Sequence, residues 1–405
     1  MALVVQKYGG SSITNGERIK VVARRVAKAK DEEKQVVVVV SAMGDTTDEL
    51  IALASQVTEQ PDNRELDILL STGELVSSTL LAMALKSLGY KSISLTGGQA
   101  GIQTDSGYSQ AQILRVDPKR IIDELAEGNI VIVAGFQGVT DYMDITTLGR
   151  GGSDTTAVAL AVALGAEMCQ IYTDVEGVHT ADPRLVPEAV KLNEIGYEEM
   201  LELASYGAAV IHPRAIELGQ LYDVPIMVAS SFNDKPGTII CKEAFMEVRN
   251  KVSGIAHDTN VAKITIVGVP DHPGIAAAIF EPLAKTGISV DTIVQNASVD
   301  NIADLTFTVA QTDLVKTMTI VEPVAKSLGA SRCATDSKLA KLSIVGTGMQ
   351  NAPGYAARMF RALHEQGINI QLITTSEIRI TCIISENRIK DAVRALYKAF
   401  ELEAA

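Results

Sequence analysis

The stretch Thr147-Leu148-Gly149-Arg150-Gly151-Gly152-Ser153-Asp154 precedes an apolar run at residues 155–161 and carries the strongest clue to the fold. Its three glycines let backbone N–H groups approach a ligand closely, because no Cβ intervenes. Ser153 is predicted to cap a helix formed by the apolar run, and a helix N-terminus attracts anions. Arg150 can hold a carboxylate or phosphate through two parallel hydrogen bonds, and Asp154 suits a neighbouring metal ion or amine. The stretch predicts an anion-binding loop, with a solvated turn as the alternative.

The composition narrows the class of protein. The chain has 405 residues, a length that suits two or three domains. Its formal net charge of −13 suits a soluble protein. It contains no block of lysine or arginine, so neither nucleic acid nor a membrane surface is expected as a partner. The four cysteines form no CxxC and the five histidines no metal-binding pair, so neither a disulfide framework nor a zinc site is expected. Without a membrane-spanning run or signal peptide pattern, we expect a cytoplasmic location.

Strand and helix patterns alternate through the first 230 residues. Apolar runs at 3–5, 36–40 and 130–134 predict buried strands, and the five consecutive valines of the second run are typical of a parallel strand. Small polar loops follow these strands at Lys7-Tyr8-Gly9-Gly10-Ser11-Ser12, Ser41-Ala42-Met43-Gly44 and Gly135-Phe136-Gln137-Gly138. A fourth loop, Asp174-Val175-Glu176-Gly177, follows a further strand pattern at residues 170–173. Ligands bind at the carboxyl ends of parallel strands. Residues 1–245 are therefore predicted to form an α/β domain with a largely parallel sheet and a site at that edge.

Two further segments contain candidate binding residues. Ser71-Thr72-Gly73-Glu74 is predicted to open a helix over residues 75–88. Glu74 would there either stabilise the helix dipole or hold a substrate ammonium group. Residues 173–184 begin at a strand end and contain acidic residues and Arg184, although Asp182-Pro183 is also good turn chemistry.

The C-terminal part contains an internal repeat behind a charged linker at residues 242–250. Residues 262–268 match residues 340–346, and Pro273-Gly274 matches Pro353-Gly354. Each copy follows the βαββαβ pattern of a ferredoxin-like domain. The second copy lacks a final strand, and residues 251–258 are otherwise unassigned. We expect the first copy (residues 262–337) to be inserted within the second (residues 251–258 plus 340–405).

Together these motifs resemble the aspartate kinases of the amino-acid kinase family, which carry two C-terminal ACT domains. The resemblance covers essentially the whole chain and also includes the segment 207–214, which contains His212-Pro213-Arg214. It implies transfer of the γ-phosphoryl group of ATP, with Mg²⁺, to the side-chain carboxylate of L-aspartate, the first step of lysine, threonine and methionine biosynthesis. A carboxylate nucleophile is ionised at pH 7, so catalysis consists of positioning and charge neutralisation rather than general base chemistry.

The resemblance also implies roles for individual residues. Lys7 would contact the transferring phosphoryl group and Asp154 would organise Lys7, which makes these two residues catalytic. Aspartate would be bound by Ser41, Thr47, Glu74, Arg150, Gly151, Gly152 and Ser153, with Arg150 on the α-carboxylate and Glu74 on the ammonium group. The nucleotide would be bound by Lys7, Gly9, Gly10, Ser11, Thr173, Asp174, His179, Asp182 and Arg184. His179 and Ala209 depart from the common family pattern, in which a Tyr and a Lys or Arg occupy these positions.

The ACT domains imply inhibition by lysine, threonine or both. The first copy would bind the effector through Asp271, His272, Pro273, Gly274, Ile275, Asp291, Gln295 and Asn296. The second copy would use Asn351, Pro353, Gly354, Tyr355, Asn369 and Ile370, and plain helix-start turns are the alternative for both loops. An oligomer formed through the ACT domains is expected, with a shorter subunit from an internal start near Met246 as a further option. Two other functions stay open: a catalytically weak amino-acid sensor, or another amino-acid kinase acting on acetylglutamate, glutamate or uridylate.

Overall fold

The computed structural model describes residues 2–208, 210–242, 252–296, 301–349 and 352–404. Ala209, Met246 and Asn351, and almost all of the predicted linker, lie outside the described residues. The chain forms two compact units, Met1–His179 with Lys191–Val248 and Thr180–Val190 with Arg249–Ala405. This division differs from the continuous first domain predicted at residues 1–245, because the segment Thr180–Val190 packs within the second unit.

The first unit alternates strands and helices, as the apolar patterns predict. Its elements are β1 (Leu3–Tyr8), α1 (Gly16–Asp31), β2 (Gln35–Val40), α2 (Thr46–Val57), α3 (Asn63–Ser87), β3 (Ser92–Leu95), β4 (Ile102–Thr104), β5 (Ile113–Val116), α4 (Lys119–Ala126), β6 (Ile130–Ala134), β7 (Gln137–Val139), β8 (Ile145–Thr147), α5 (Gly152–Leu164), β9 (Met168–Thr173), β10 (Glu194–Gly196), α6 (Tyr197–Ser205), α7 (Pro213–Tyr222), β11 (Ile226–Ser230) and β12 (Thr238–Cys241).

An eight-stranded sheet in the order β10-β12-β11-β9-β1-β2-β6-β3 is the frame of this unit. The strands from β11 to β3 are parallel to one another, whereas β12 runs antiparallel to β11. The valines of β2 are completely buried, as a parallel strand covered on both faces requires. Helices α1 and α3 pack on the face that contains Val4 and Tyr8, and α5 packs against β1, β2 and β9. The predicted largely parallel α/β sheet is confirmed.

A smaller sheet in the order β5-β4-β7-β8 interrupts the alternation of strands and helices in the part of the chain between β3 and α5. Strand β7 pairs antiparallel with β8, and Thr104 and Thr146 share a buried hydrogen bond of 2.6 Å between their hydroxyl groups. Because β8 ends at Thr147, this sheet fixes the position at which the glycine-rich loop begins.

Helix α3 is much longer than the helix predicted at residues 75–88. It begins at Asn63, where the carboxylate of Asp62 accepts hydrogen bonds from the backbone N–H groups of Arg64 and Glu65. Glu74 therefore lies in the middle of the helix, and its interpretation as a dipole-stabilising residue is wrong, because that effect is limited to the first turn. Among the described helices α3 is long and apolar enough to span a membrane, but half of its most apolar window is buried inside this unit.

The second unit contains the two repeat copies. Its elements are β13 (Gly254–Pro270), α8 (Ile275–Lys285), β14 (Ile293–Gln295), β15 (Ile302–Val309), α9 (Leu314–Ser327), β16 (Arg332–Val345), α10 (Tyr355–Glu365), β17 (Ile370–Thr375), β18 (Arg379–Ser385) and α11 (Ile389–Ala399). They form one antiparallel sheet in the order β14-β15-β13-β16-β18-β17.

The long strands β13 and β16 run through both copies. Residues 254–258 of β13 pair antiparallel with residues 341–345 of the second copy, and residues 263–267 pair with residues 332–336 of the first. This is the pairing that insertion of the first copy within the second requires. Each copy has its own apolar core under its two helices.

The segment Thr180–Val190 belongs to the core of the second copy. Its Val186 is completely buried there. The hydroxyl group of Tyr397 on α11 donates to the carbonyl oxygen of Glu188 at 2.9 Å, and the Arg394 guanidinium donates to that of Leu185. Nothing in the local sequence signals these contacts, so the predicted first domain at residues 1–245 includes this segment.

Candidate active site

Lys7 and Asp154 form an ion pair at the carboxyl edge of the parallel sheet. Strand alternation directs the side chain of Lys7 away from the face of Val4 and Tyr8 and toward α5. Its Nζ lies 2.6 Å from Oδ1 of Asp154, and both side chains are 11% exposed. The other carboxylate oxygen of Asp154 accepts from the backbone N–H of His212 at 3.3 Å. The two predicted catalytic residues are therefore adjacent, and the lysine keeps limited access to solvent.

The glycine-rich loop enters α5 through backbone conformations that other residues adopt rarely. Gly149 and Gly151 have φ of +76° and +68°. Gly151 is the N-cap residue, and its carbonyl oxygen accepts from the N–H groups of Asp154 and Thr155. The prediction that Ser153 caps this helix is wrong, because Ser153 already lies inside the first turn. A Cβ at Gly151 would lie 2.2 Å from the ring of His212, so this glycine is also required for space.

Glu74 projects from the middle of α3 into the same region. Its Oε1 accepts from the backbone N–H of Ala42 at 3.0 Å, and its Oε2 has no partner among the described residues. The residue is 3% exposed, and burial raises the pKa of its carboxyl group to about 8. An unpaired, buried carboxylate oxygen is costly. Burial of this carboxylate becomes favourable when a ligand with a cationic hydrogen-bond donor binds beside the unpaired oxygen.

A cleft of about 470 Å³ connects these groups. It brings together all the predicted substrate-binding residues and both predicted catalytic residues. It is lined by Lys7, Gly10, Ser41, Ala42, Gly44, Thr47, Asp48, Ile51, Leu66, Leu70, Glu74, Ser109, Phe136, Thr147, Gly149, Arg150, Gly151, Gly152, Ser153 and Asp154. The exposed Arg150 makes no hydrogen bond or ion pair with the described residues, so its guanidinium group is available to a ligand.

Several residues of this region are absent from the sequence-based predictions. Asp67 and Ser109 have no motif of their own, although Asp67 is an acid in an apolar stretch two helical turns before Glu74. Phe136 lies in a predicted strand-end loop but received no role. Arg214 belongs to a quoted motif but received no role. Its guanidinium group donates to the carbonyl oxygens of Leu148 at 2.7 Å and Ala111 at 3.1 Å, which braces the start of the glycine-rich loop.

The predicted phosphate-binding segment follows β1 directly. Gly9 donates its N–H to the carbonyl oxygen of Tyr172 at 3.2 Å, beside Thr173 and Asp174 at the end of β9. A Cβ at Gly10 would lie 2.8 Å from the carbonyl oxygen of Ala42, so only glycine allows this contact between loops. The exposed Ser11 lies in the 3₁₀ helix Gly10–Ile13. These residues share the sheet edge that contains Lys7.

The other predicted nucleotide-binding residues have different surroundings. The backbone of His179 forms a bridge with Lys191. Asp182 and Arg184 belong to the second unit, where the Asp182 carboxylate accepts from the backbone N–H and the guanidinium group of Arg184. Partial burial raises the pKa of the Asp182 carboxyl group, but the hydrogen bonds and the charge of Arg184 together outweigh burial and hold this pKa below its ordinary value. These contacts support the turn interpretation of this pair.

The predicted effector loops of the two copies have the same backbone conformation. Gly274 and Gly354 are the N-cap residues of α8 and α10, with φ of +99° and +104°. In the first copy, Gln295 donates to Asp271 at 3.3 Å, and Asp291 lies 2.5 Å from Lys341 of the second copy. His272, Pro273, Asn296, Pro353 and Asn369 are exposed, Tyr355 and Ile370 are half-buried, and Ile275 is buried.

A second cavity of about 300 Å³ lies on the α1 face of the main sheet. Gln6 and Gln170 form its floor and are hydrogen-bonded to each other at 3.0 Å. Arg25 lies over the ring of Tyr172 and forms an ion pair with Asp234. None of the predicted site residues lines this cavity, so we place the candidate active site in the larger cleft.

Comparison with known family models identifies three domains in the chain. Residues 2–230 match the amino acid kinase family, and residues 263–325 and 342–400 each match the ACT domain. An aspartate kinase from Pseudomonas putida is 50% identical over 406 residues, covering 100% of this chain and 98% of the relative. Aspartokinase 2 from Bacillus subtilis is 48% identical over 402 residues, covering 99% and 98%.

Solved structures of aspartate kinases are also similar to this chain. The aspartate kinase from Synechocystis is 43% identical, with a TM-score of 0.56 and coverage of 99% of this chain and 70% of that chain. Escherichia coli aspartokinase III, solved with aspartate and ADP, has a TM-score of 0.78 at 24% identity and coverage of 98% and 99%, which shows a shared fold.

The parallel sheet, the lysine at its carboxyl edge and the glycine-rich loop define a phosphotransferase, and the chain belongs to the amino acid kinase family. Within that family it groups with the aspartate kinases that carry two ACT domains. It is therefore an ATP-dependent phosphotransferase with a carboxylate acceptor, and its role is in amino-acid biosynthesis. The family predicted from the sequence is confirmed.

Proposed function

We propose that the 470 Å³ cleft binds L-aspartate, with Arg150 on the α-carboxylate and Glu74 on the ammonium group. Glu74 is the observation that carries this proposal. A buried carboxyl group that lines a cleft, with one oxygen that has no partner among the described residues, is suited to a ligand that brings both a positive charge and N–H donors. Arg150, which lies in the glycine-rich loop and lines the same cleft, supplies the positive charge that a carboxylate requires.

The same proposal assigns the transfer step to Lys7. The ammonium group of Lys7 would neutralise charge on the transferring phosphoryl group, while Asp154 holds that ammonium group in place through their 2.6 Å contact. Gly10 and Ser11 would offer backbone donors to the phosphates, and Gly9, whose N–H is held by the Tyr172 carbonyl oxygen, would let the phosphates approach the loop closely. Ser41, Thr47, Gly151, Gly152 and Ser153 would complete the aspartate site. The side-chain carboxylate of aspartate attacks the γ-phosphorus without prior deprotonation, and ADP leaves.

The nucleotide is expected at the loops after β1 and β9. Thr173, Asp174 and His179 are the residues proposed to bind it, whereas the contacts between Asp182 and Arg184 support a turn instead. No group of three or more His, Cys, Asp or Glu side chains that could hold a metal ion is found among the described residues. Mg²⁺ would therefore be carried mainly by the phosphates, as is usual for this ion, with Asp154 as a carboxylate near the phosphate loops. When bound it supplies charge neutralisation.

We further propose that lysine, threonine or both inhibit the enzyme by binding at the ACT loops, and that the enzyme oligomerises through its ACT domains. The loops at Gly274 and Gly354 have matching conformations, which suits two related effector sites. A shorter subunit starting at Met246 would contain both ACT copies. All four cysteines are free thiols, which fits the proposed cytoplasmic location.

Release of ADP from MgATP tests the acceptor. Turnover should require L-aspartate and should not occur with N-acetylglutamate, glutamate or UMP, the acceptors of other amino-acid kinases. The variant Arg150→Gln should raise KM for aspartate and leave KM for ATP unchanged.

Adding lysine, threonine and both together tests regulation in the same assay. Inhibition only by the pair would show that the two effectors act jointly. Absence of aspartate-dependent turnover, together with calorimetric binding of lysine or threonine, would reject the kinase proposal in favour of the amino-acid sensor.

A further inference from the structure

Asp67 is a buried acid that lies beside the candidate aspartate site without lining it. It lies two helical turns before Glu74 on α3, so the two carboxyl groups share one face of the helix. Its side chain is completely buried, and in the part of the chain that the structure describes it forms no salt bridge. Burial of a carboxylate without a cation is costly unless several donors compensate.

The donors come from two segments that are distant in sequence. Oδ2 of Asp67 accepts from the backbone N–H of Thr147 at 2.8 Å and of Ser109 at 2.9 Å. Oδ1 accepts from the hydroxyl groups of Thr147 at 2.7 Å and Ser109 at 3.4 Å, and also lies 3.1 Å from the Ser109 nitrogen. One carboxylate thus joins α3, the β4–β5 loop and the end of β8.

Both segments border the aspartate site. Thr147 immediately precedes Leu148-Gly149-Arg150, and its carbonyl oxygen accepts from the N–H of Ala111 at 2.9 Å. A Cβ at Gly149 would lie 3.1 Å from the carbonyl oxygen of Ser109, so the two loops are in contact. Ser109, Thr147 and Arg150 all line the cleft.

We propose that Asp67 is a positioning residue of the acceptor site. It fixes Ser109 and Thr147 relative to α3, and thereby sets the position from which Arg150 reaches the α-carboxylate of the substrate. The inference rests on the proposed function, since it assumes that the cleft binds aspartate. Asp67 acts through hydrogen-bond geometry, because the described groups that donate to it, the N–H and hydroxyl groups of Ser109 and Thr147, are all neutral.

Two substitutions separate geometry from charge. In Asp67→Asn the amide oxygen can accept from both N–H groups, while the amide nitrogen donates to the two hydroxyl groups, which can also act as acceptors. In Asp67→Ala the two buried N–H groups lose their acceptor. We expect Asp67→Ala to raise KM for aspartate by about 10- to 100-fold and Asp67→Asn to stay within about 3-fold of wild type. KM for ATP should change less than about 3-fold in both.

Steady-state kinetics with aspartate and ATP varied separately measures this, and calorimetric titration with ADP checks that each variant retains a folded nucleotide site. Equal impairment of the Asn and Ala variants would overturn the inference by showing a role for the charge. Equal rises in both KM values would overturn it as well, since they indicate general structural damage. If Asp67→Ala does not fold, Thr147→Val decides: it removes one hydroxyl donor from Oδ1 and should raise KM for aspartate alone, whereas an unchanged KM would reject the inference. Wild-type enzyme without aspartate-dependent turnover would instead refute the proposed function.

Discussion

Replacement of Glu74 by Gln should stabilise the free enzyme at alkaline pH and weaken its binding of aspartate. Glu74 is 3% exposed, with one oxygen hydrogen-bonded to the Ala42 N–H and the other without a partner among the described residues. Burial raises the pKa of its carboxyl group from 4.5 to about 8. The free site therefore favours the protonated acid, and a bound ammonium group favours the carboxylate.

The magnitude follows from the two pKa values. The folded state binds the Glu74 proton more tightly than the unfolded state does, so stability falls as pH rises from 4.5 through about 8. Below this window both states are protonated and no penalty exists. Above it the penalty reaches at most about 5 kcal/mol, from 1.36 kcal/mol per pKa unit. Glu74→Gln keeps an acceptor for Ala42 and removes this penalty.

Denaturant unfolding of both proteins between pH 5 and pH 9 measures the effect. The difference in unfolding free energy should be small at pH 5 and grow with pH in favour of the variant. Wild type should also release about 0.9 proton per bound aspartate at pH 7, because a group with a pKa of about 8 is mostly protonated there. Titration calorimetry in buffers of different ionisation enthalpy detects this release. A stability difference independent of pH, or aspartate binding without proton release, would refute the reasoning.

Further substitutions probe the catalytic lysine and the glycine-rich loop. Lys7→Ala should lower kcat by about 10²- to 10³-fold in the ADP-release assay, with aspartate binding by calorimetry largely retained. Gly151→Ala should abolish aspartate turnover, because its Cβ would meet the ring of His212 at 2.2 Å. The matched control is Gly165→Ala at the other end of α5, where φ is also positive but nothing lies within 4 Å; it should lose about 1 kcal/mol in thermal unfolding and remain active. Equal effects of the two glycine variants would contradict the steric argument. Arg214→Met removes two hydrogen bonds to the loop and should lower kcat/KM for aspartate by about 10-fold or more, whereas unchanged kinetics would show that the brace is dispensable.

Where sequence reasoning failed, the cause was contact between distant segments. The start of α3 was placed too late because the apolar pattern before Glu74 did not distinguish a buried helix from a strand. Ser153 was assigned as the cap because its side chain suits that role. The positive φ of Gly151, next to His212, starts the helix earlier. The contacts of the segment Thr180–Val190 with α11 could not be foreseen, because its partners there are more than 200 residues away.

The sequence by itself determined the alternation of strands and helices around the main sheet, the parallel character of that sheet and the duplication behind it. Those features depend on local periodicity, on the valine run of β2 and on glycine loops at strand ends, all of which can be read along the chain. Only the tertiary structure decided that Lys7 meets Asp154, that Glu74 is buried with an unpaired oxygen, and that Asp67 joins segments 42 and 80 residues away. Burial and long-range hydrogen bonding set the charge and geometry of these groups, and no local pattern encodes them.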